Sequence, residues 1–214
     1  MLKKSVLIST LICFVFIGAV WADNQAEAPD VHIGDMWKYR EIDAYTNEVN
    51  VEFSHRVVKL DSDEIVIQLQ NKKSTGKILK YFTREWNQVA SADVTWEPFL
   101  PENKFPMKVG DSWNKKFRFS KTNGSSFSSF VKAKVVSFEK VAVPAGTFDA
   151  YKVVRDIETR SSDSEATIMR GQIVSWYAPS VKKFVRSEST EFANGRERSK
   201  KLIELVEFLL QGES

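Results

Sequence analysis

The sequence predicts an all-β fold, an antiparallel meander of about eleven strands that forms one strongly curved sheet or open half-barrel. Three observations support this prediction: apolar side chains recur at every second residue, turn-forming pairs separate these runs, and one short pattern occurs twice. Alternation of period two puts one face of a sheet against a core and the other face in water.

The N-terminal residues 1–22 have the pattern of a secretory signal peptide. Lys3 and Lys4 precede an apolar stretch, Val6–Val20, and Val20-Trp21-Ala22 supplies a small-residue cleavage pattern. The apolar stretch has about 15 residues, fewer than the roughly 20 that a permanent transmembrane helix needs. We therefore expect cleavage before Asp23 and export to the periplasm or the medium, with no permanent membrane span afterwards. An uncleaved membrane anchor is the alternative.

The single cysteine of the chain, Cys13, lies inside this segment. Ile12 precedes it, where a lipoprotein signal has a small residue, so lipidation is not expected. The mature chain then has no thiol, which excludes disulfides, cysteine nucleophiles and cysteine metal sites. Without Lys3 and Lys4, the 31 basic residues become 29 against 28 acidic ones, and the charges are interspersed. This pattern gives no support to nucleic-acid binding.

After a flexible lead-in, residues 23–32, we expect a single β domain over residues 33–214. The pattern Ile33-Gly34-Asp35-Met36-Trp37 recurs 76 positions later as Val109-Gly110-Asp111-Ser112-Trp113, and each copy opens a run of strands. Each half also has an aromatic strand further on, at 78–82 and at 173–177. We interpret these echoes as an internal duplication into two related units, 33–97 and 107–210; coincidence is the alternative.

The first unit shows the alternation in two runs, 49–53 and 65–69, with the turn residues Asp61-Ser62-Asp63 between them. In Arg56–Leu60 the apolar parity shifts, which predicts a bulge or strong bend. Three prolines, at positions 98, 101 and 106, separate the two units. Because proline cannot donate to a β ladder, we expect this stretch to lie outside a central strand.

The second unit repeats the scheme, with Trp113, Phe117 and Phe119 on one parity. Asn123-Gly124 and Asn194-Gly195 supply the positive φ angles of tight hairpins, and Pro144-Ala145-Gly146 fits a turn closed by a left-handed glycine. The last segment, 200–210, fits either a helix or a strand. The hairpin signal just upstream favours a strand.

Both copies of Gly-Asp-x-Trp are interpreted as structural. Glycine lets the chain turn into a strand, aspartate accepts backbone hydrogen bonds, and tryptophan fills the core. Adjacent aromatic residues in a strand face opposite sides of the sheet, so one of each pair covers a second surface: a loop, a partner or a ligand. The residues that we predict to line a ligand site are Trp37, Tyr39, Tyr81, Trp113, Trp176 and Tyr177.

The residue types of common catalytic and metal sites are sparse. His32 and His55 are the two histidines and lie in different elements. Asp30, His32 and Asp35 do not form a convincing metal set, since zinc sites use more nitrogen or sulfur ligands. The chain has no Gly-x-Ser-x-Gly elbow and no glycine-rich phosphate loop. We therefore predict no metal site, no cofactor and no enzymatic activity.

Three stretches together point to a known family: 105–113 (FPMKVGDSW), 141–153 (VAVPAGTFDAYKV) and Trp176-Tyr177-Ala178-Pro179, followed by Val185. They resemble the TapB-like family of uncharacterised secreted bacterial proteins, over Phe105 to Glu207. The family usually has a glycine pair after its Trp-Tyr-x-Pro motif, where this chain has Ser180-Val181-Lys182-Lys183. The resemblance implies an exported β domain and no particular activity.

These observations lead to three functional hypotheses. The first is a non-catalytic periplasmic protein that binds a lipid, an acyl chain or another hydrophobic small molecule in the concave face of its curved sheet. The shape would resemble the open barrels of periplasmic lipoprotein carriers, and fold alone does not give function. The second is a structural or protein-interaction module that binds another envelope protein. The third, and least favoured, is a hydrolase whose histidine meets a serine and an acid.

Overall fold

The computed structural model describes residues 25–72, 76–162, 167–193 and 195–212, so the predicted signal peptide lies outside the described residues. The described ranges form twelve β-strands and one short 3-10 helix. The strands are β1 (Met36–Asp43), β2 (Val49–Leu60), β3 (Glu64–Asn71), β4 (Ile78–Thr83), β5 (Gln88–Ala90), β6 (Val94–Leu100), β7 (Ser112–Lys121), β8 (Ser126–Val143), β9 (Gly146–Ser161), β10 (Thr167–Ala178), β11 (Lys183–Ala193) and β12 (Arg196–Leu209). The 3-10 helix, Pro179–Val181, connects β10 to β11.

The strands form a closed barrel in which each strand pairs antiparallel with the next in sequence. The barrel closes where β12 pairs with β1, from Met36 opposite Leu209 to Asp43 opposite Lys201. The predicted all-β antiparallel meander is thus confirmed, whereas the open half-barrel of about eleven strands was wrong. Pairing between the first and last strands is a long-range contact, and no local turn signal reveals it.

Two local predictions are confirmed. The C-terminal segment is a strand, β12, and it supplies half of the closing seam. The expected bulge in Arg56–Leu60 appears as a register shift between Val57 and Lys59 in the pairing of β2 with β3. The parity shift in the sequence therefore located a real change in the ladder.

The structure differs from the prediction for the proline-rich stretch at one position. Pro98 lies inside β6, although we expected it outside a central strand. The ladder from β6 to β7 ends at Glu97, opposite Arg118, so Pro98 follows the last residue that this ladder pairs. A proline is tolerated there because no donor is required of it.

The first Gly-Asp-x-Trp copy forms a compact turn into β1. Gly34 has a φ of 99°, which favours glycine, and its N–H donates to the carbonyl of Val57 at 2.9 Å. The N–H of Val57 in turn donates to the carbonyl of Asp35 at 2.9 Å. The Asp35 carboxylate accepts the N–H of His32 at 2.9 Å.

The second copy repeats this pattern at the start of β7. Gly110 has a φ of 96° and donates its N–H to the carbonyl of Val135 at 2.9 Å. Val135 donates back to the carbonyl of Asp111 at 2.9 Å, and the Asp111 carboxylate accepts the N–H of Lys108 at 3.0 Å. Both copies therefore act as strand-starting turns. The internal duplication itself stays a prediction.

The packed part of the interior is built from fully buried apolar side chains that include Trp37, Tyr39, Ile65 and Leu205. The segment predicted as a flexible lead-in contacts the barrel: Ala26 exchanges two backbone hydrogen bonds with Met107, both at 2.8 Å. Ala26, Met107 and Trp37 belong to one buried cluster, so the start of β1 lies at the packed end of the interior.

Candidate functional site

A cavity of about 440 Å³ lies inside the barrel, within the roughly 300–1,000 Å³ range of small-molecule sites. Its walls come mainly from the inward faces of β1–β4 and β9–β12 and from the loop after β6. The apolar part of the wall, called here the apolar lining, consists of Val51, Phe53, Leu69, Phe82, Trp86, Ile173, Tyr177, Phe184 and Ile203. The uncharged polar part consists of Asn71, Gln88, Asn103, Ser175, Ser187 and Ser189.

The register of β1 and β2 gives the direction of the cavity. His55 pairs with Trp37 at the packed end, and Val51 pairs with Glu41 further along the strands. Both His55 and Val51 line the cavity, and four residues of a strand span about 13 Å. The cavity therefore extends from the packed aromatic residues towards the turn that joins β1 to β2.

Lys183, the first residue of β11, is held in the interior by the inward-folded loop before it. The indole N–H of Trp37 donates to the carbonyl of Val181, and that of Trp86 donates to the carbonyl of Lys182, both at 2.8 Å. Lys182 has a φ of 61°, which turns the chain into β11. As a result, Lys183 is only 4 % exposed although it carries an ammonium group.

The Lys183 ammonium lies in a box of aromatic rings. Its Nζ atom is 3.3 Å from the ring centroid of Trp86, 4.9 Å from that of Trp37 and 5.3 Å from that of Phe82. Aromatic faces attract cations, most strongly where water is excluded. Burial lowers the pKa of Lys183 well below its ordinary value; Glu102 opposes this effect and Lys80 adds to it. Among the described residues, Lys183 Nζ has no hydrogen-bond acceptor.

Arg155 enters the same cavity from β9 and is buried. Its guanidinium lies 3.4 Å from the carboxylate of Glu102 and 3.5 Å from the hydroxyl of Ser175, while its Nε has no acceptor within the described ranges. Burial lowers the pKa of Arg155, and Glu102 opposes that shift. Glu102 is fixed because Asn87 accepts the backbone N–H of Glu102 at 2.8 Å.

Lys80 of β4 is the third cation in the wall. Burial lowers its pKa, and the nearby Glu102 again opposes the shift. We call Lys80, Arg155 and Lys183 the cationic cluster. The other carboxylate in the wall, Glu41, is paired with Lys201 at 3.3 Å. The cationic cluster therefore faces a single carboxylate, Glu102.

His55 is buried against Tyr39 and Phe53, at ring-centroid distances of 5.7 Å and 5.2 Å. Neither ring nitrogen has a hydrogen-bond partner within the described part of the chain. Burial, and then the charges of Lys183 and Lys80, lower the pKa of His55 well below its ordinary value. His55 is therefore a neutral ring at pH 7, and the structure does not join it to a serine or a carboxylate.

Of the six residues that we predicted to line a ligand site, Tyr177 lines the cavity. Trp37 and Tyr39 are fully buried beside it: Trp37 contacts Trp86, and Tyr39 stacks on Phe184 at 4.7 Å.

The other three predicted lining residues lie outside this wall. Trp176 is covered by Lys152 and Arg186 and donates its indole N–H to Glu139 at 2.8 Å. Tyr81 is half-buried beside the inward Phe82. Trp113 is half-buried and packs near the separate cluster of Phe117, Val131 and Ala133. Contact of any of the six with a ligand stays a prediction.

The sequence analysis missed the cationic cluster and His55, although a signal was present. Each of these residues interrupts an apolar parity: Arg155 lies between Val153 and Ile157, and Lys183 between Val181 and Val185. Lys80 and His55 likewise occupy inward positions of β4 and β2. A charge at a core parity is rarely buried without a partner, so such interruptions mark candidate binding residues.

Metal binding finds no support among the described residues, where no three histidine, cysteine, aspartate or glutamate side chains are placed to hold an ion. Asp35 is instead occupied by the backbone N–H groups of His32 and Gln211, at 2.9 Å and 2.6 Å. No helix within the described ranges is long and apolar enough to cross a membrane.

The fold and the site define a closed, twelve-stranded antiparallel barrel with an internal cavity that is partly apolar and partly cationic. Residues 99–202, from β6 to β12, match the family described as DUF3108-like. This match does not specifically support the resemblance to TapB-like proteins. No curated protein matches the chain.

Solved structures show the same architecture. A protein from Parabacteroides distasonis ATCC 8503, provisionally described as a lipoprotein, has a TM-score of 0.56 and 20% identity, with 86% of this chain and 99% of that chain covered. A protein from Bacteroides fragilis NCTC 9343, provisionally described as exported and as having a YmcC-like fold, has a TM-score of 0.56, 19% identity and the same coverage. At these identities the likeness shows the fold alone. The descriptions are consistent with an envelope or secreted location.

Proposed function

We propose that this protein is a non-catalytic exported binding protein that holds a lipid, an acyl chain or another hydrophobic small molecule. The ligand lies inside the closed barrel. The sequence had led us to expect binding on an open concave face. The observation that carries the proposal is the cavity of about 440 Å³ with its apolar lining. Its size lies in the range of small-molecule sites, and an apolar wall with a few polar groups is typical of such sites.

The proposed location is the periplasm or the medium. It is supported by the signal pattern of residues 1–22 and by the descriptions of the two similar solved structures. The mature protein, with no metal or cofactor, then carries its ligand through an aqueous compartment. A cavity inside a barrel suits this role because it shields apolar surface from water.

The competing hypothesis, an envelope interaction module, requires a large apolar patch on the outer surface. Ile33 and Val109 are 60 % and 50 % exposed, but they precede β1 and β7, which lie six strands apart around the barrel. These two residues therefore do not form one patch. A protein partner stays a prediction that crosslinking in cells would test.

A direct test is native mass spectrometry and lipid extraction of the protein purified from the cell envelope. We expect a co-purified hydrophobic molecule, or, after its removal, binding of the apolar dye N-phenyl-1-naphthylamine. The variant Ser189→Phe, which places a ring in the cavity wall, should lower dye binding. Ser112→Phe, on an exposed position of β7, is the matched control and should bind as the parent does. Absence of both ligand and dye binding would overturn the proposal.

A further inference from the structure

The charges inside the cavity are unbalanced. Three cations of the cationic cluster face Glu102, and the second carboxylate, Glu41, is already paired with Lys201. Buried charges are strongly disfavoured unless they are paired and hydrogen-bonded. The cavity therefore has more basic side chains than acidic ones, in a place where burial disfavours their charged forms.

The cavity also contains hydrogen-bond donors that lack acceptors. The Nε–H of Arg155 is buried and has no acceptor among the described residues. The Lys183 ammonium contacts the faces of three aromatic rings, which supply attraction but no oxygen acceptor. Buried donors without acceptors are rare in native proteins and call for an explanation, such as binding of a water, an ion or a ligand. Acceptors with a negative charge would satisfy both groups.

We propose that the cavity binds a single-chain amphiphile with an anionic head, a carboxylate or a phosphate. The head lies among the cationic cluster and the chain packs on the apolar lining. This inference rests on the proposed function and narrows it to one class of ligand.

The geometry also orients the ligand. Lys183 lies against Trp37 and Trp86, at the packed end of the barrel. Val51 and Ile203, which both face Glu41 across the β ladders, lie towards the β1–β2 turn. The anionic head is therefore innermost, and the chain extends towards that turn. This arrangement buries the charge beside Lys183, which the loop before β11 holds in place.

The experiment is a calorimetric titration of the delipidated protein with four probes that each contain a linear chain of twelve carbon atoms. They are dodecanoate, dodecyl phosphate, dodecanol and dodecyltrimethylammonium. Acetate and inorganic phosphate serve as heads without a chain. We expect one of the two anionic amphiphiles, or both, to bind about tenfold to a hundredfold more tightly than dodecanol, because hydrogen bonds between charged groups are stronger than neutral ones. The better of the two identifies the head as carboxylate or phosphate.

Variants connect this preference to the cationic cluster. Lys183→Met and Lys80→Met should remove most of the preference for anions, so that affinity for the anionic amphiphiles falls more than affinity for dodecanol. Lys134→Met, on an exposed position of β8, is the matched control. Glu102→Gln removes the carboxylate that competes for the cluster and should tighten dodecanoate binding several-fold. A gain of this kind cannot come from misfolding.

The outcomes separate the two proposals. Equal affinity for all four twelve-carbon probes would overturn the anionic head and leave the proposed function standing. If acetate or phosphate binds as tightly as the amphiphiles, the proposal that the alkyl chain contributes to binding is overturned. If no twelve-carbon probe binds, the proposed function itself fails. An unchanged anion preference in Lys183→Met and Lys80→Met would also overturn the assignment of the head site.

Discussion

The two copies of Gly-Asp-x-Trp have the same backbone and different surroundings. Both start a strand with a glycine of φ near 100° and with the same pair of backbone hydrogen bonds. Trp37 is nevertheless fully buried, with its indole N–H 2.8 Å from the carbonyl of Val181, whereas Trp113 is half-buried and 3.4 Å from the carbonyl of Pro101.

The difference shows that the turn determines where a strand begins, and the neighbouring strands determine what the tryptophan does. Across the ladder, His55 faces Trp37 and Ala133 faces Trp113. The first tryptophan is part of the box around Lys183, while the second packs against both the main core and a small separate cluster. One copy of the motif thus contributes to the candidate site, and the other contributes to the core between the two clusters.

The largest expected effect comes from truncating the two tryptophans. Trp37→Ala should lower the free energy of unfolding by about 3–5 kcal/mol, because it leaves a large cavity in the packed core. Trp113→Ala should cost about 1–2 kcal/mol, since that ring is half-buried. Urea denaturation followed by circular dichroism measures both values. Equal losses in the free energy of unfolding would show that the two tryptophans stabilise the core equally.

The second largest expected effect is the difference in stability cost between substitutions of the two motif aspartates. Asp35 is fully buried and accepts N–H groups from both His32 and Gln211, whereas Asp111 is partly exposed and accepts that of Lys108. Asp35→Ala should therefore cost about 1–3 kcal/mol, because it leaves buried donors unpaired. Asp111→Ala should cost about 0.5–1 kcal/mol. A loss at Asp111 that exceeds the loss at Asp35 would contradict this ordering.

Measuring stability against pH extends the comparison of the two motif copies. The residue across the ladder from the tryptophan is His55 at the first copy and alanine at the second. The pKa of His55 is lowered in the folded protein, so below pH of about 6.5 the unfolded state binds the proton more readily. Stability should therefore fall as the pH falls from about 7 to 5, with a slope that approaches about 1.4 kcal/mol per pH unit.

Thermal unfolding at several pH values checks this expectation. His55→Phe, which cannot take up a proton, should lose that part of the acid sensitivity. His32→Gln, at a side chain that is 46% exposed, is the control and should keep it. A parent-like pH profile in His55→Phe would show that other groups cause the effect.

The smallest expected effect concerns the two glycines. Gly34→Ala and Gly110→Ala should each cost about 1 kcal/mol, because both positions have a φ that side chains disfavour. A Cβ at Gly34 would also lie 3.2 Å from Cγ of Gln211, whereas one at Gly110 would meet nothing within 4 Å. Gly34→Ala should thus be slightly worse in the same denaturation assay. A neutral Gly110→Ala would show that the positive φ is not required there.

Much of the fold could be predicted from the sequence because its signals are local. The alternation of apolar residues, the parity shift in Arg56–Leu60 and the hairpin signal at Asn194-Gly195 each act within a few residues, and they located strands and a bulge correctly. Closure of the barrel was missed, and about eleven strands were expected where the described residues form twelve. Closure depends on contacts across the whole chain, and a strand of three residues such as β5 is too short to show an alternation.

The candidate site was harder to predict than the fold. We selected aromatic residues by their type, yet only Tyr177 of the six lines the cavity. The residues that distinguish this cavity are charges at inward positions, such as Arg155 and Lys183, and their burial depends on the loops that surround them. An isolated lysine in a sequence looks like a surface residue, since lysine is almost always exposed.

The seam between β1 and β12 has a consequence for how the chain acquires its structure. The ribosome makes β1 before the other eleven strands and β12 after them, so the barrel cannot close until β12 has been made. Until then, two sheet edges stay unpaired, and unpaired edges invite association with other chains. Native contacts between distant parts of a chain also form slowly. A newly made polypeptide of this design therefore stays incompletely folded until its last strand can reach its first.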